Sequence, residues 1–307
     1  MRPIGSRSIT MKIDFAVIGG SYAGMAAALQ LARARRQVLV VDAGKRRNQC
    51  VDDHGGEAHG FLTQDGLAPA AIAEEARRQL RLYPTVQWMS GLADDGRVAP
   101  DGRLEFRVGD VAVSAGRLIL ATGVRDELPP VPGLAERWGR SVFHCPYCHG
   151  YELDQGRIGI VAASPLAQHH AMMLPDWGVP TLFLNGAYEP NAEDLDEFAR
   201  RGTRVEPTPI ARIDGVADVV LRDGRTLTMD GLFTQPRTTP SSTIAAQFGC
   251  VMEDGPMGPF IKVGPMQDTS VPKVFACGDA ARAAGSVTLA VSDGAMAGFG
   301  AHRSTMF

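Results

Sequence analysis

The feature that most constrains the fold of this 307-residue chain is a run of about 30 residues near its start. An apolar strand predicted over residues 13–18 leads directly into the turn Gly-Gly-Ser-Tyr-Ala-Gly at 19–24. A helix over 25–35 and a strand over 37–42 follow, and this second strand ends in Asp42. The order matches the dinucleotide fingerprint, in which the pyrophosphate lies at the helix N-terminus and the acid binds the ribose hydroxyls.

The fingerprint gives a first group of candidate cofactor-binding residues: Gly19, Ser21, Ala23, Gly24 and Asp42. The serine replaces the usual middle glycine, which reduces the clearance for the backbone but adds a hydroxyl. Because an acid at the end of the second strand disfavours a 2′-phosphate, FAD or NAD fits this site better than NADP. A tight turn in an unrelated α/β protein is the alternative interpretation.

The second informative stretch is Phe-His-Cys-Pro-Tyr-Cys-His-Gly-Tyr at 143–151. Cys145 and Cys148 are close enough on one turn to form a reversible disulfide, and His144 and His149 flank them. The alternatives are half a zinc site, a structural disulfide or two unreactive thiols. A zinc site would need a second pair of ligands at short spacing. The remaining cysteines are isolated in sequence, so we interpret the pair as a redox dithiol without a metal: Cys50, Cys250 and Cys277.

A second strand–helix–strand unit is predicted with strands over 157–161 and 181–184 and a helix over 165–177. Where a second nucleotide would need glycines, the turn at 162–167 reads Ala-Ala-Ser-Pro-Leu-Ala. The second strand of the unit is followed by acids rather than by an arginine pair for a 2′-phosphate: Glu189, Glu193, Asp194 and Asp196. The residues therefore argue against NADPH as an efficient donor and leave open a low-affinity NADH site.

Two further predicted strands end in small residues, at 121–123 and at 278–279, that would let a cofactor approach the backbone. The carboxylate of Asp279 suits a sugar or ribityl hydroxyl. A helix predicted over 287–299 offers N–H groups at its N-terminus. These features, together with one residue of the polar loop 45–66, complete the cofactor-binding candidates: Ala121, Thr122, Gly123, Gly278, Asp279, Val287, Thr288 and Asn48. The same loop contains His59, which either lines a substrate groove or is an exposed histidine without a role.

Composition excludes several classes of function. The net charge of −3 offers no basic field for nucleic acid. No stretch reaches the roughly 18 apolar residues of a membrane span, and residues 1–10 lack the apolar core of a secretory signal. We interpret residues 1–10 as an N-terminal extension. The five cysteines fit a reducing compartment, so a cytoplasmic location is expected.

Taken together, the motifs at 19–24, 121–123, 145–148 and 278–279 make the chain resemble the low-molecular-weight thioredoxin reductase family. The resemblance covers residues 11–303 and implies FAD, a homodimer and an α/β fold of two Rossmann-like three-layer domains. The FAD-binding domain would be discontinuous, 11–125 and 241–307, and a smaller nicotinamide-type domain at 126–240 would carry the dithiol. The run Cys-Pro-Tyr-Cys-His-Gly-Tyr-Glu is most similar to a branch that includes FAD-dependent dithiol oxidases.

The resemblance also implies roles for the residues of the dithiol. Cys148 would face the flavin and Cys145 would exchange with the substrate. His149 occupies the place of the aspartate that serves thioredoxin reductases as acid/base, and an imidazole pKa of about 6.5 suits it to proton transfer at neutral pH. His144 is a second candidate for that role.

The expected function is that of an FAD-dependent thiol–disulfide oxidoreductase without efficient use of NADPH. Its partner would be a dithiol or disulfide on a small molecule or on a thioredoxin-like protein. The alternatives are an NAD(P)H-dependent reductase of thioredoxin or of a small disulfide, and a flavin-binding redox sensor. A further alternative is a glutaredoxin-like or zinc-binding module, since Cys-Pro-Tyr-Cys also occurs in glutaredoxins.

Overall fold

The computed structural model describes residues 10–307, which divide into two compact units. The first comprises the chain up to Arg47, Ala70–Arg125 and Thr238–Phe307, and the second comprises Asn48–Pro69 and Asp126–Arg237. The loop at 48–69 thus groups with the second unit, whereas the sequence prediction included it in the FAD-binding domain. The limits of the functional domains stay predictions. Of the predicted N-terminal extension, residues 1–9 lie outside the described residues, and Thr10 begins the first strand.

The strands are numbered in chain order: β1 Thr10–Ile18, β2 Val38–Asp42, β3 Val86–Ser90, β4 Ala93–Val98, β5 Leu104–Val108, β6 Val111–Leu120, β7 Val124–Glu127, β8 Val142–Phe143, β9 Arg157–Val161, β10 Val179–Phe183, β11 Arg204–Glu206, β12 Ile210–Asp214, β13 Asp218–Leu221, β14 Thr226–Thr228, β15 Gly231–Thr234, β16 Arg237–Pro240, β17 Met252–Gly255, β18 Gly258–Ile261 and β19 Val274–Ala276.

The α-helices are numbered likewise: α1 Tyr22–Arg33, α2 Gln49–Asp52, α3 Pro69–Leu80, α4 Pro146–His149, α5 Ala167–Met173, α6 Ala192–Arg201, α7 Ile244–Phe248 and α8 Val287–Arg303. Short 3-10 turns lie at Ala135–Arg137, Tyr151–Leu153, Leu174–Asp176 and Gly278–Ala281. Within residues 10–307 no helix combines the length and the apolar character needed to cross a membrane.

The first unit is built on a sheet in which β3, β2, β1 and β6 are parallel neighbours in that order. On its other side β6 has two further partners, β5 and β19. β5 pairs with its amino-terminal half in the antiparallel sense, and β19 pairs in parallel with its last three residues. In this register the last residues of β1, β6 and β19 are direct neighbours: Ile18, Leu120 and Ala276. The loops that follow these strands therefore leave the sheet at one edge.

Two helices of the first unit pack closely because small residues line their contact. A Cβ atom built on Gly294 of α8 would lie only 2.0 Å from the carbonyl oxygen of Ala23 in α1, so the approach needs glycine. The buried face of α1 consists largely of alanine and glycine for the same reason. α8 continues to Arg303, four residues beyond the predicted helix.

The second unit contains a five-stranded parallel sheet in the order β11-β10-β9-β15-β8. Phe183, Phe198 and Phe233 are fully buried and form part of its core. A separate antiparallel sheet consists of β12, β13 and β14, and Asp223 and Gly224 lie in the turn between its last two strands. The predicted α/β class with Rossmann-like parallel-sheet cores is therefore confirmed.

One predicted helix is shorter than expected. The helix predicted over 165–177 is α5, which begins at Ala167 and ends at Met173, and a 3-10 turn follows. Pro175 explains the end of the helix, because proline lacks a backbone N–H and disfavours helical geometry in the residue before it.

Candidate functional site

The sequence-predicted cofactor residues of the first unit follow the carboxyl ends of its parallel strands. Gly19 donates its backbone N–H to a carbonyl of β2 at 2.8 Å, and Ala121 donates to the Ile18 carbonyl at 2.8 Å. The residue before Gly278, Cys277, donates to the last carbonyl of β6 at 3.0 Å. Thr122 and Gly123 follow Ala121 directly. The carboxyl edge of a parallel sheet is where nucleotides bind in such folds.

The turn after β1 has no room for side chains at two of its glycines. Gly19 has a φ of +114°, and a Cβ atom there would lie 2.1 Å from the carbonyl oxygen of Ala121. A Cβ atom on Gly24 would lie 1.8 Å from the carbonyl oxygen of Gly19. Ser21 is the N-cap of α1 and has an extended backbone. A bare backbone turn at the start of a 12-residue helix fits the pyrophosphate of a dinucleotide such as FAD.

Asp42 lies at the end of β2, against the same turn. Its carboxylate accepts a hydrogen bond from the Gly44 N–H at 3.0 Å, and a Cβ atom on Gly20 would lie 2.6 Å from the aspartate side chain. Trp88 of β3 is equally close to Gly20, and the guanidinium of Arg77 lies 4.1 Å from the centre of its ring. Neither residue could be predicted from the sequence, because Trp88 comes close through the pairing of β2 with β3 and Arg77, of α3, through its contact with the Trp88 ring.

Asp279 lies in the 3-10 turn after β19, where its carboxylate accepts a hydrogen bond from Arg47 at 2.9 Å. Arg47 could not be predicted from the sequence, since nothing in a polar loop of this length distinguishes one arginine from another. Ser286 caps α8 by accepting from the Leu289 N–H at 3.2 Å. Val287 and Thr288 are the first two residues of that helix, whereas Asn48 precedes α2 and groups with the second unit.

Cys145 and Cys148 lie at either end of a single helical turn in the second unit. Cys145 is the N-cap of α4 with an extended backbone, and Pro146 begins the helix. Cys148 donates its N–H to the carbonyl of Cys145 at 3.1 Å, and Gly150 donates to the carbonyl of Pro146 at 2.7 Å. Both cysteines are half-buried. One turn joining two cysteines is the backbone arrangement that a reversible disulfide requires.

Aromatic rings hold this turn in place. The imidazole of His149 stacks on Phe143 with 4.4 Å between ring centroids and an interplanar angle of 22°. Tyr147 meets Trp177 edge to face at 5.1 Å, although its own side chain is 72% exposed. Edge-to-face and stacked contacts of this kind stabilise aromatic pairs beyond the apolar area that they bury. The residues around the dithiol are therefore fixed by packing against the rest of the second unit.

His149 is not an ordinary titrating histidine. Burial, and after it the charge of a protonated His59, lower the pKa of His149 from about 6.5 to about 4. The expectation of an ordinary pKa is wrong, because packing removes the ring from water and the charged form loses its hydration. At neutral pH the imidazole is therefore uncharged, which is the form that accepts a proton from a thiol.

His144, the second histidine of the motif, lies beside another histidine of the second unit. Its ring centroid is 6.3 Å from that of His170, which belongs to α5, is 2% exposed and meets Phe233 edge to face at 5.9 Å. Burial, followed by the charges of His144 and His169, lowers the pKa of His170 to about 3. His170 is therefore a neutral core residue at physiological pH. In the part of the chain that the structure describes, no three His, Cys, Asp or Glu residues are grouped to hold a metal ion.

The turn after β9 contains an internal hydrogen bond between its backbone and one of its own side chains. Ser164 accepts a hydrogen bond from the Leu166 N–H at 3.3 Å, just before α5 begins. Gln168 of that helix donates to the carboxylate of Asp194 at 3.0 Å. The same carboxylate accepts from the Asn191 N–H at 3.1 Å within the capping box of α6. The polar side chains at and next to this turn, Ser164 and Gln168, thus have hydrogen-bond partners within the protein, and one of those partners is the carboxylate of Asp194.

Known proteins resemble this chain over nearly its whole length. A family model described as pyridine nucleotide-disulphide oxidoreductase matches residues 13–294. A protein named thioredoxin reductase tcpT, from Claviceps purpurea (strain 20.1), is 32% identical over 302 residues, which cover 93% of this chain and 92% of that protein. The crystal structure of an oxidoreductase from Agrobacterium tumefaciens is similar with a TM-score of 0.93 and 56% identity, over 97% of this chain and 99% of the other. The structure of HlmI is similar with a TM-score of 0.87 and 35% identity, over 96% and 92%.

Proposed function

This chain belongs to the pyridine nucleotide-disulphide oxidoreductase family, and from that premise we propose that it oxidises dithiols through Cys145 and Cys148 and passes the electrons to FAD. It is a thioredoxin reductase-like enzyme, and thioredoxin reductase-like members of the family are FAD-dependent. Bound FAD would supply a two-electron acceptor. The residues that would hold it lie in the first unit: Gly19, Ser21, Ala23, Gly24, Asp42, Ala121, Thr122, Gly123, Gly278, Asp279, Val287 and Thr288.

The observation that carries the proposal is the contrast between the two nucleotide-type turns. The turn after β1 offers bare backbone at a helix N-terminus, which suits a pyrophosphate. The turn after β9, where the family's nicotinamide nucleotide would bind, contains Pro165 and Leu166. Gln168 of the helix that follows it donates a hydrogen bond to the carboxylate of Asp194. A carboxylate at that position repels a dinucleotide phosphate, so we propose that NADPH is a poor donor and that the substrate dithiol supplies the electrons.

In the proposed cycle a substrate thiolate attacks Cys145 of the Cys145–Cys148 disulfide, which forms a mixed disulfide and releases Cys148 as a thiolate. The second substrate thiol then displaces Cys145, and the substrate leaves as a disulfide. Two electrons and two protons have left the substrate, and neutral His149 accepts a proton from an attacking thiol. Bound FAD would accept the two electrons that return the Cys145–Cys148 dithiol to its disulfide, and dioxygen as final acceptor would take up two electrons and two protons to give hydrogen peroxide.

An anaerobic comparison of electron donors tests this direction. The purified flavoprotein is mixed with dithiothreitol, NADPH or NADH at equal concentrations, and the loss of flavin absorbance is followed in a stopped-flow instrument. We expect dithiothreitol to bleach the flavin rapidly and both nicotinamide nucleotides to act slowly. Rapid bleaching by NADPH would instead establish the NAD(P)H-dependent reductase of the alternative interpretation.

Substitution of the proposed flavin-facing cysteine tests the residue assignment. We expect Cys148→Ser to keep its flavin and to lose dithiol-dependent oxygen consumption by roughly 10³-fold, since removal of a covalent nucleophile commonly has an effect of this size. Cys50→Ser, which changes a half-buried thiol outside the motif, serves as the matched control. A Cys148→Ser protein that oxidised dithiols at the parent's rate would contradict the assignment. A parent that is reduced by dithiols but never turns over would fit a redox sensor.

We further propose that the dithiol partner is a small molecule or a thioredoxin-like protein and that the enzyme is a cytoplasmic homodimer. The support for the partner is the resemblance to thioredoxin reductase-like proteins, and the support for the compartment is the low count of five cysteines. Light scattering of the purified protein measures the oligomeric state. Parallel oxygen-consumption assays with reduced thioredoxin and with small dithiols distinguish the two kinds of partner.

A further inference from the structure

The second unit contains a histidine that the proposed cycle does not use. His59, in the loop between α2 and α3, has a side chain that is only 17% exposed, so it is not the exposed loop histidine of the sequence-based alternative. Its Nε2 atom lies 3.4 Å from a carboxylate oxygen of Glu152 and 3.9 Å from one of Glu57. Its Nδ1 atom lies 3.7 Å from a carboxylate oxygen of Asp65. Both ring nitrogens thus face negative charge.

The position of His59 is fixed by its own loop. Gly60 donates its N–H to the Asp65 carboxylate at 2.7 Å, and Ala58 and Leu67 form an antiparallel bridge across the base of the segment. A side chain that is enclosed in this way keeps a defined orientation. The carboxylates of Glu57 and Asp65 come from the loop itself, whereas Glu152 belongs to another element of the same unit.

That other element is the continuation of the dithiol turn. Glu152 lies in the 3-10 turn Tyr151–Leu153, which follows α4 after one residue. A Cβ atom built on Gly60 would lie 3.9 Å from the carbonyl oxygen of Tyr147, which stands between the two cysteines of the motif. The loop therefore lies directly against the segment that carries Cys145, Cys148 and His149.

The two histidines are also electrostatically coupled. The charge of a protonated His59 is the second cause, after burial, of the lowered pKa of His149. A proton on one ring therefore alters the readiness of the other to hold one.

Dithiol oxidation makes this coupling useful. Each disulfide formed releases two protons, and a single buried base must give up the first before it can accept the second. His149 stacks on Phe143 in a half-buried position, so its proton needs a route to water. The carboxylates of Glu152 and Asp65, which lie beside the His59 ring, are 41% and 66% exposed, so they connect that ring to solvent.

We propose that His59 is a positioning residue that acts through His149: it receives the proton that His149 takes from a substrate thiol and passes it by way of Glu152 and Asp65 to water. The proton moves from sulfur to His149, then to His59 and then to a carboxylate or water, and no electron moves with it. His149 is thereby returned to its neutral form for the second proton. This inference rests on the dithiol oxidation proposed above.

The test is the pH dependence of anaerobic flavin reduction by dithiothreitol in His59→Gln. We expect reduction to be about tenfold slower at neutral pH, which is less than the roughly 10²- to 10⁴-fold effect of a direct acid or base, because His59 acts through His149. We also expect the part of the pH–rate profile that reports the titration of His149 to move to higher pH, because the variant lacks the positive charge that lowers the pKa of His149. Added imidazole buffer should restore part of the rate. His54→Gln, at an exposed histidine of the same loop, is the control and should behave as the parent.

Glu152→Gln keeps the imidazole and removes its nearest carboxylate, and we expect about a threefold loss of rate with partial rescue by imidazole. This variant decides the matter if His59→Gln loses its flavin or fails to fold. Rates and pH profiles that coincide with the parent's in both variants would overturn the role of His59 and leave the dithiol oxidase intact. A parent whose flavin dithiothreitol does not reduce would overturn both proposals together.

Discussion

After β1 the chain turns through glycines into the 12-residue helix α1, whereas after β9 it turns through Pro165 and Leu166 into α5, a helix of 7 residues. Both turns leave a parallel strand at its carboxyl end and both open a helix. In the first, side chains are absent where the backbone must remain available. In the second, a serine side chain accepts a hydrogen bond from the backbone of the turn, and a glutamine of the following helix donates to an acid. The difference supports the proposal that a strand–turn–helix topology can persist after its capacity to hold a phosphate has been lost.

The helices that follow the two turns, α1 and α5, also differ in the residues that they bury. The buried face of α1 consists largely of small residues, and Gly294 of α8 approaches it at backbone contact. The buried face of α5 carries His170, which packs on Phe233 and lies near His144 of the dithiol segment. The first helix is shaped for close backbone approach. The second is shaped to support the residues around the cysteines.

The largest effect is expected from a methyl group in the first turn. In Gly24→Ala the new Cβ atom would lie 1.8 Å from a backbone oxygen, so the turn must move. Overpacking of this kind costs about 1–3 kcal/mol, which corresponds to roughly 5- to 150-fold weaker binding of a ligand that needs the turn. We therefore expect the purified variant to contain little flavin, as measured by its absorbance relative to that of the protein.

Ala163→Gly is the matched change in the second turn, at an exposed alanine. Ala163→Gly removes a methyl group from the second turn, whereas Gly24→Ala adds one to the first. We expect the flavin content of Ala163→Gly to equal that of the parent. The comparison of the two turns would fail if Gly24→Ala were as yellow as the parent, or if Ala163→Gly were colourless.

The next effect concerns the pH dependence of stability through His170. Its pKa is about 3 in the folded protein, against about 6.5 for an unperturbed histidine in the unfolded chain. Above about pH 6.5 the ring is neutral in both states. As the pH falls from there towards 3, the unfolded chain binds a proton that the folded protein excludes, so stability is lost. The loss from this residue between about pH 7 and 5 is on the order of 2 kcal/mol.

His170→Gln removes this titration, and urea unfolding of the holoprotein at about pH 7 and 5 measures the result. The variant is expected to be less stable than the parent at the higher pH, because a buried amide replaces the packed ring. Its stability should, however, fall by about 2 kcal/mol less on acidification. His169→Gln, at the exposed neighbour on α5, is the control. Equal pH dependence in the parent and in His170→Gln would show that this helix does not bury a neutral histidine.

Much of the fold could be predicted from the sequence because its signals are local. The apolar strand, the glycine turn and Asp42 lie within one continuous segment, and the structure places Asp42 beside Gly20. The Cys-x-x-Cys spacing likewise predicts a single turn, and α4 is that turn. Periodicity and turn chemistry are sufficient for features of this kind.

The rest could not be predicted because it depends on contacts between distant segments. Nothing in the spacing of His59 and Glu152 indicates that they approach to 3.4 Å. The pKa of His149 depends on a ring stacked against it and on a charge from a loop 90 residues earlier in the chain, and the sequence offers only the ordinary value. Arg47 and Asp279 are separated by 232 positions, so their ion pair follows from the tertiary structure alone.

The smallest effect is expected at the acid of the second turn. Asp194→Ala removes the capping box of α6 and the bond to Gln168, which should lower the free energy of unfolding by about 1 kcal/mol. Burial and then the charge of Asp194 raise the pKa of Tyr188 to about 12, so the tyrosinate absorbance of the variant should titrate at lower pH. Asp196→Ala, at an exposed acid of the same helix, is the control and should leave that titration unchanged.

The same variant distinguishes two reasons for the proposed loss of the nucleotide site after β9. If the packed turn itself excludes NADPH, removal of one carboxylate should leave flavin reduction by NADPH as slow as in the parent, with flavin content and dithiol oxidation unchanged. If Asp194→Ala instead made NADPH an efficient donor, repulsion by a single acid would be the only obstacle. The turn after β9 would then be a working nucleotide site under electrostatic restraint, and its contrast with the turn after β1 would be one of charge rather than of shape.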